Sequence, residues 1–202
     1  MANIVAKNIF KKCIHIIAEI YSKEENLNGH VTGQFLKEID FTSINLQETE
    51  SSIEFSKIFN SYSTNDEHEL VRELKKISHF LPWYQSDMEG RIDAKLKKQM
   101  LITELVGPHS IIKSDDYEVG IFLQFPNVFY PARRHAAEET FYTLAGKSFW
   151  QLEDKSEIER CIGEYIHHPS MKSHSNRTTD LHLVACWRWS GDISTESYAK
   201  YK

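Results

Sequence analysis

The sequence predicts a mainly β domain preceded by an α-helical region, and two observations carry that expectation. As far as Leu105 the apolar residues recur largely at helical spacing. From Gly107-Pro108 onward the chain breaks into short β-rich strings separated by Gly, Pro, Asn and Asp. The strings follow one another at hairpin distances and not at the longer intervals of parallel βαβ units, so antiparallel pairing is expected. The expected division is a helical region over residues 1–106 and a β domain over residues 107–202.

In chain order, Ile4, Val5, Ile9, Phe10, Cys13, Ile16, Ile17 and Ile20 form one face of an amphipathic helix from about Ile4 to Tyr21. Such a helix docks on a core and does not anchor in a membrane. Lys23 to Gln47 is polar and carries Gly29 and Gly33, and the first eighty residues are expected to be mostly α. Ser51 to Tyr62 and Asp66 to Phe80 return to helical spacing, the second ending before Leu81-Pro82 because the residue before proline avoids α backbone. A further amphipathic run covers Arg91 to Leu105. Strands are expected at Tyr117 to Phe125, Phe129 to His135, Thr140 to Leu144, Ser148 to Leu152, Glu164 to His167 and Leu181 to Trp189.

A chain of 202 residues can bury a full core, and two complete domains would be cramped. The net charge of −5, with no basic stretch interleaved with aromatics, argues against a nucleic-acid partner and favours small-molecule chemistry. Cys13, Cys161 and Cys186 are odd in number, far apart and without C-x-x-C spacing, which suits reduced thiols. Lysines break the apolar run at the N-terminus and no eighteen apolar residues run together, so a cytoplasmic protein with no membrane span is expected; the oligomeric state is left open.

The chemistry concentrates in Tyr130-Pro-Ala-Arg-Arg-His-Ala-Ala-Glu-Glu-Thr-Phe-Tyr-Thr-Leu-Ala-Gly146 and Gly163-Glu-Tyr-Ile-His-His-Pro169-Ser-Met-Lys-Ser-His174. Together these segments can bring two imidazoles, His135 and His174, and the Glu139 carboxylate to one divalent metal. Such a set suits iron, zinc, nickel or manganese, and the ligands alone do not choose among them. Strand alternation places Phe141 and Thr143 on the face of Glu139 and Tyr142 on the other. His167 and His168, just before Pro169, read as strand-end or rim residues, and the remaining histidines as surface or core side chains.

These spacings resemble the two motifs of the cupin barrel, the double-stranded β-helix: H-x-H, three residues, Glu, six residues, Gly; then Gly, five residues, Pro and a later His. Asn127 and Met171 stand where those motifs carry glycines, and Arg133 stands in place of the first histidine. The flanking text is similar to the cupin-type dimethylsulfoniopropionate lyases over more than half of the chain. Leu81-Pro-Trp83, Leu105-Val-Gly-Pro108, Asp116-Tyr-Glu-Val-Gly120, His174-Ser-Asn-Arg-Thr178 and Cys186-Trp-Arg-Trp-Ser-Gly-Asp192 follow that family's order.

The resemblance implies a cupin-type barrel, a metal held by His135, Glu139 and His174, and a β-elimination that yields dimethyl sulfide and acrylate. Tyr130 matches the family's proposed catalytic base, and Trp189 a tryptophan lining its substrate pocket, where an indole face suits a sulfonium head. Two positions depart from the pattern and bear on activity more than on fold. Arg133 cannot ligate a metal but could clamp a substrate carboxylate or pair with Glu139, and Phe141 replaces a tyrosine and brings no hydroxyl. Oxygen activation by iron in a cupin dioxygenase, and a catalytically weak binding module, are the alternatives that the residues leave open.

Overall fold

The computed structural model describes residues 2–62, 66–86 and 88–200. Four helices lead: α1 (Ala2–Ser22), α2 (Leu27–Lys37), α3 (Glu50–Ser61) and α4 (Glu69–Ile77). After them come strand β1 (Trp83–Tyr84), the short helix α5 (Ala94–Lys97) and strands β2 (Met100–Gly107), β3 (Ile112–Lys113), β4 (Tyr117–Gln124), β5 (Phe129–Arg134) and β6 (Glu138–Gly146). The chain continues through β7 (Ser148–Leu152), β8 (Ile158–Arg160), β9 (Tyr165–His168), β10 (His174–Arg177), β11 (Leu183–Ser190) and β12 (Ala199–Lys200).

The strands form two sheets, one ordered β1-β2-β4-β11-β6-β9 with β3 beside β2, the other β12-β5-β10-β7-β8. All pairings are antiparallel except β2 with β3. The sheets face each other across a core of Phe122, Phe141, Trp150, Leu183, Trp187 and Trp189. This is a two-sheet antiparallel arrangement of the kind the cupin resemblance implies, with the helices as a third layer. Phe10, Cys13, Ile14, Ile17 and Tyr21 of α1 are fully buried against Leu101, Ile121, Leu144 and Cys186 on the outer face of the larger sheet. Each large apolar side chain buried there contributes about 1.5–3 kcal/mol over exposure. No helix among the described residues is long and apolar enough to cross a membrane.

Two expectations are corrected and one helix is added. The helix expected over Arg91 to Leu105 is only the single turn of α5, capped by Asp93, and from Met100 the chain is strand β2. Along β2, Leu101 and Leu105 face the helices while Met100 and Ile102 face the inter-sheet core, and a strand buried on both faces gives no alternation to read. The larger sheet therefore starts before residue 107, with β1 and β2. Within the polar Lys23 to Gln47 stretch lies α2, whose N-terminus is capped by Asn26. Gly29 and Gly33 mask it in the sequence because they serve close packing: a side chain at Gly33 would meet the backbone of Ser22 and Ala18 on α1. Finally, Ile4 and Val5 are exposed, so the buried face of α1 begins at Ala6.

Candidate metal centre

Strand register builds the site. Trp189 of β11, Glu139 of β6 and His168 of β9 are direct cross-strand partners, so their side chains stand in one row on the inner face of the larger sheet. Glu118 of β4 continues the row opposite Trp189. From the other sheet, His174 opens β10 opposite Arg133 of β5, and His135 follows β5 in the turn to β6. Met171 donates its backbone N–H to the His135 carbonyl at 2.8 Å, which ties the second motif to the first. Asn127 and Met171, at the two glycine positions, hold left-handed backbone with φ of 58° and 61°; asparagine adopts this readily and methionine at a cost.

Glu139 is the hub. Its Oε1 accepts a hydrogen bond from Trp189 Nε1 at 2.7 Å, and its Oε2 lies 3.0 Å from His168 Nδ1, 3.3 Å from His174 Nε2 and 3.6 Å from His135 Nε2. All four partners are buried. Burial alone would raise the Glu139 carboxyl, but the surrounding imidazoles hold it well below the ordinary carboxylate range. Burial lowers His174 well below the usual histidine value, with His168 and Arg133 adding to the shift, and it pushes His168 down to about 4 against the pull of Glu139. Both rings are neutral near pH 7.

The tautomers follow from the partners. A carbonyl only accepts, so His174 Nδ1, 3.0 Å from Lys172 O, and His135 Nδ1, 2.9 Å from Ala137 O, each carry a proton. In the neutral His174 ring Nε2 is then bare, and it is buried beside the Glu139 carboxylate with no hydrogen-bond partner. A proton or a metal cation between the two would satisfy both. Donor atoms of His135, Glu139 and His174 all lie within 4.8 Å of one another. Ligands at metal bond lengths of about 2.0–2.1 Å sit about 2.9–3.4 Å apart, close to the separations measured from Glu139. The group therefore fits a divalent ion.

The other expected site residues line one cavity of about 320 Å³ beside this group. Arg133 points inward, is buried, and stacks on the Tyr130 ring at 3.7 Å; its Nη1 has no partner, and it forms no ion pair with Glu139 among the described residues. The Tyr130 hydroxyl lies 2.8 Å from that of Tyr198, and burial pushes its pKa well above the ordinary tyrosine value, with Tyr198 adding and Arg133 opposing. Phe141 is buried on the inner face and Tyr142 packs on Tyr165 behind the sheet, as strand parity requires.

Trp189 lines the cavity, its indole N–H holds the Glu139 carboxylate and its ring lies 4.5 Å from His135. One reading changes. His168 is no rim residue: it is 1% exposed, stacks on His174 at 4.0 Å between ring centres and hydrogen-bonds Glu139. Only the register of β9 against β6 identifies it, as only the fold identifies Tyr198.

A sequence model described as dimethylsulfoniopropionate (DMSP) lyase matches residues 52–185, well over half of the chain. The chain belongs to this family. The DMSP lyase DddQ of Ruegeria pomeroyi is 26% identical over 119 residues, which are 59% of either protein, so the chain spans about six tenths of the length of that curated relative. The crystal structure of DMSP lyase DddQ from the same organism superposes with a TM-score of 0.74 at 20% identity, covering 96% of each chain. A structure reported under the DMSP lyases RdDddP and RnDddQII gives 0.75 at 14% identity over 98% of each. At these identities the likeness shows the fold.

His168 braces the Glu139 carboxylate at the centre of the candidate site. A residue that orients a ligand carboxylate typically governs affinity by about 10–100-fold. His168→Ala is therefore expected to weaken metal binding by that factor while leaving one metal per chain at saturation, as read by competition with a chromophoric chelator. Unchanged affinity would reduce His168 to packing.

Proposed function

We propose that this chain is a metal-dependent DMSP lyase that cleaves its substrate by β-elimination to dimethyl sulfide and acrylate. The observation that carries the reading is the buried His135–Glu139–His174 group opening onto the same cavity as Tyr130 and Arg133. A divalent ion held by that group would supply Lewis-acid polarisation of the substrate carboxylate, which acidifies the α-carbon.

The chain's own residues supply the rest. Arg133, with an unpartnered nitrogen facing a low-dielectric cavity, binds a substrate carboxylate oxygen. Phe141 and Trp189 close the apolar walls and exclude water. The Tyr130 oxygen, as phenolate, takes the α-proton; the released pair forms the α–β double bond, and the β-carbon to sulfur bond breaks to free dimethyl sulfide. Burial opposes the phenolate, and the Arg133 charge above the ring acts to stabilise it. The three unpaired thiols suit a cytoplasmic setting.

Tyr130→Phe tests the assignment of the base. We expect turnover to fall by about 10²–10⁴-fold, the span of one general base, with metal content and melting temperature nearly unchanged. Retention of most of the activity would place the base elsewhere.

A further inference from the structure

The catalytic cavity is polarised. Its metal side carries Arg133, whose buried guanidinium has an unpartnered nitrogen. The opposite wall carries two carboxylates, Glu118 on β4 and Glu104 on β2, which sit two and three strands from β6, roughly 10–14 Å along the sheet. Neither makes an ion pair among the described residues; Glu104 accepts a hydrogen bond from Ser110 Oγ. Between them and the metal side lies Trp187. Register places Glu104, Gly120 and Trp187 side by side, and a side chain at Gly120 would come within 2.9 Å of the indole, so the missing Cβ lets the ring lie across β4 towards Glu104.

Two carboxylates beside an aromatic ring that lines the cavity make a cation subsite, and a guanidinium across the cavity makes an anion subsite. We propose that Glu118, Glu104 and the Trp187 ring form the subsite that selects the onium head of a zwitterionic substrate, a sulfonium or a quaternary ammonium, while Arg133 takes its carboxylate. This deepens the lyase reading and rests on it for the identity of the cavity. Burial, with Glu104 adding, pushes the Glu118 carboxyl up to about 8; a cation beside the pair would oppose that shift. Tyr84, on the neighbouring strand β1, is raised by burial and then by these same two carboxylates, which places all three groups together.

The test compares two carboxylic acids of one shape on the purified, metal-loaded protein: the trimethylammonium analogue of the substrate and its neutral tert-butyl isostere. We expect calorimetry to show the charged acid binding about tenfold more tightly, with the preference shrinking to about twofold or less in Glu104→Gln/Glu118→Gln while tert-butyl binding holds. If the double variant shows no melting transition, the two single variants carry the same readout. No preference in the unaltered protein, or a preference that survives in the variants, overturns the subsite. Because binding needs no turnover, a preserved preference without dimethyl sulfide formation would contradict the lyase reading and leave the subsite standing.

Discussion

His174→Ala is expected to strip most of the bound metal and to leave the fold in place. The variant leaves two protein ligands, His135 and Glu139, and two rarely hold a borderline divalent ion. Apparent binding energies of about 10–16 kcal/mol shared by four ligands put each near 3 kcal/mol, so roughly two orders of magnitude in affinity should go. The fold should tolerate the change because two effects oppose. The alanine loses the stacking on His168 at 4.0 Å, but it also deletes a buried nitrogen that has no hydrogen-bond partner. Metal analysis after gel filtration, with circular dichroism on the same samples, checks both halves. Full metal content in the variant would mean that another set of residues binds the ion.

The second large effect lies behind the sheet, on the helical side. Arg188 is fully buried and held by Glu24 through two contacts of 2.7 and 2.8 Å, with Glu138 at 3.1 Å and Ser190 at 2.9 Å. Glu24 also accepts from Thr140 Oγ1 at 2.7 Å. Arg188 and Thr140 are cross-strand partners immediately behind the Trp189–Glu139 row, so this cluster pins the α1–α2 junction to the strands that carry the site. Glu24→Ala leaves the guanidinium short of its main counter-charge and should cost about 3–5 kcal/mol, or roughly 10 °C in melting temperature for a chain of this size. Glu24→Ala/Arg188→Met should cost less than the single change, because it removes the stranded charge as well. A single variant that melts within a degree or two of the parent would contradict this account.

The parts legible in the sequence are those governed by local rules. Ser148–Leu152 is a strand with the bounds expected, and the parity that sends Phe141 inward and Tyr142 outward holds along β6. The His135, Glu139 and His174 offsets bring three side chains together because each is fixed to its turn or strand by nearby backbone. What the sequence concealed depends on neighbours far along the chain. His168 looked like a rim residue beside Pro169, and only pairing with β6 turns it towards Glu139. Trp189 offered an indole face to a reader of sequence, whereas packing directs its N–H at the carboxylate. Strand β2 hid because both of its faces are apolar, and α2 because its glycines serve contact with α1.

The central claim is a metal-dependent elimination at the His135–Glu139–His174 group. The most direct measurement adds dimethylsulfoniopropionate to the purified protein in a sealed vial, metal-loaded and chelator-stripped, with headspace dimethyl sulfide and dissolved oxygen followed together. Dimethyl sulfide that forms in step with acrylate, disappears with the metal, returns on its readdition and consumes no oxygen is the predicted result. Oxygen uptake without dimethyl sulfide, or elimination that is indifferent to the metal, would contradict it.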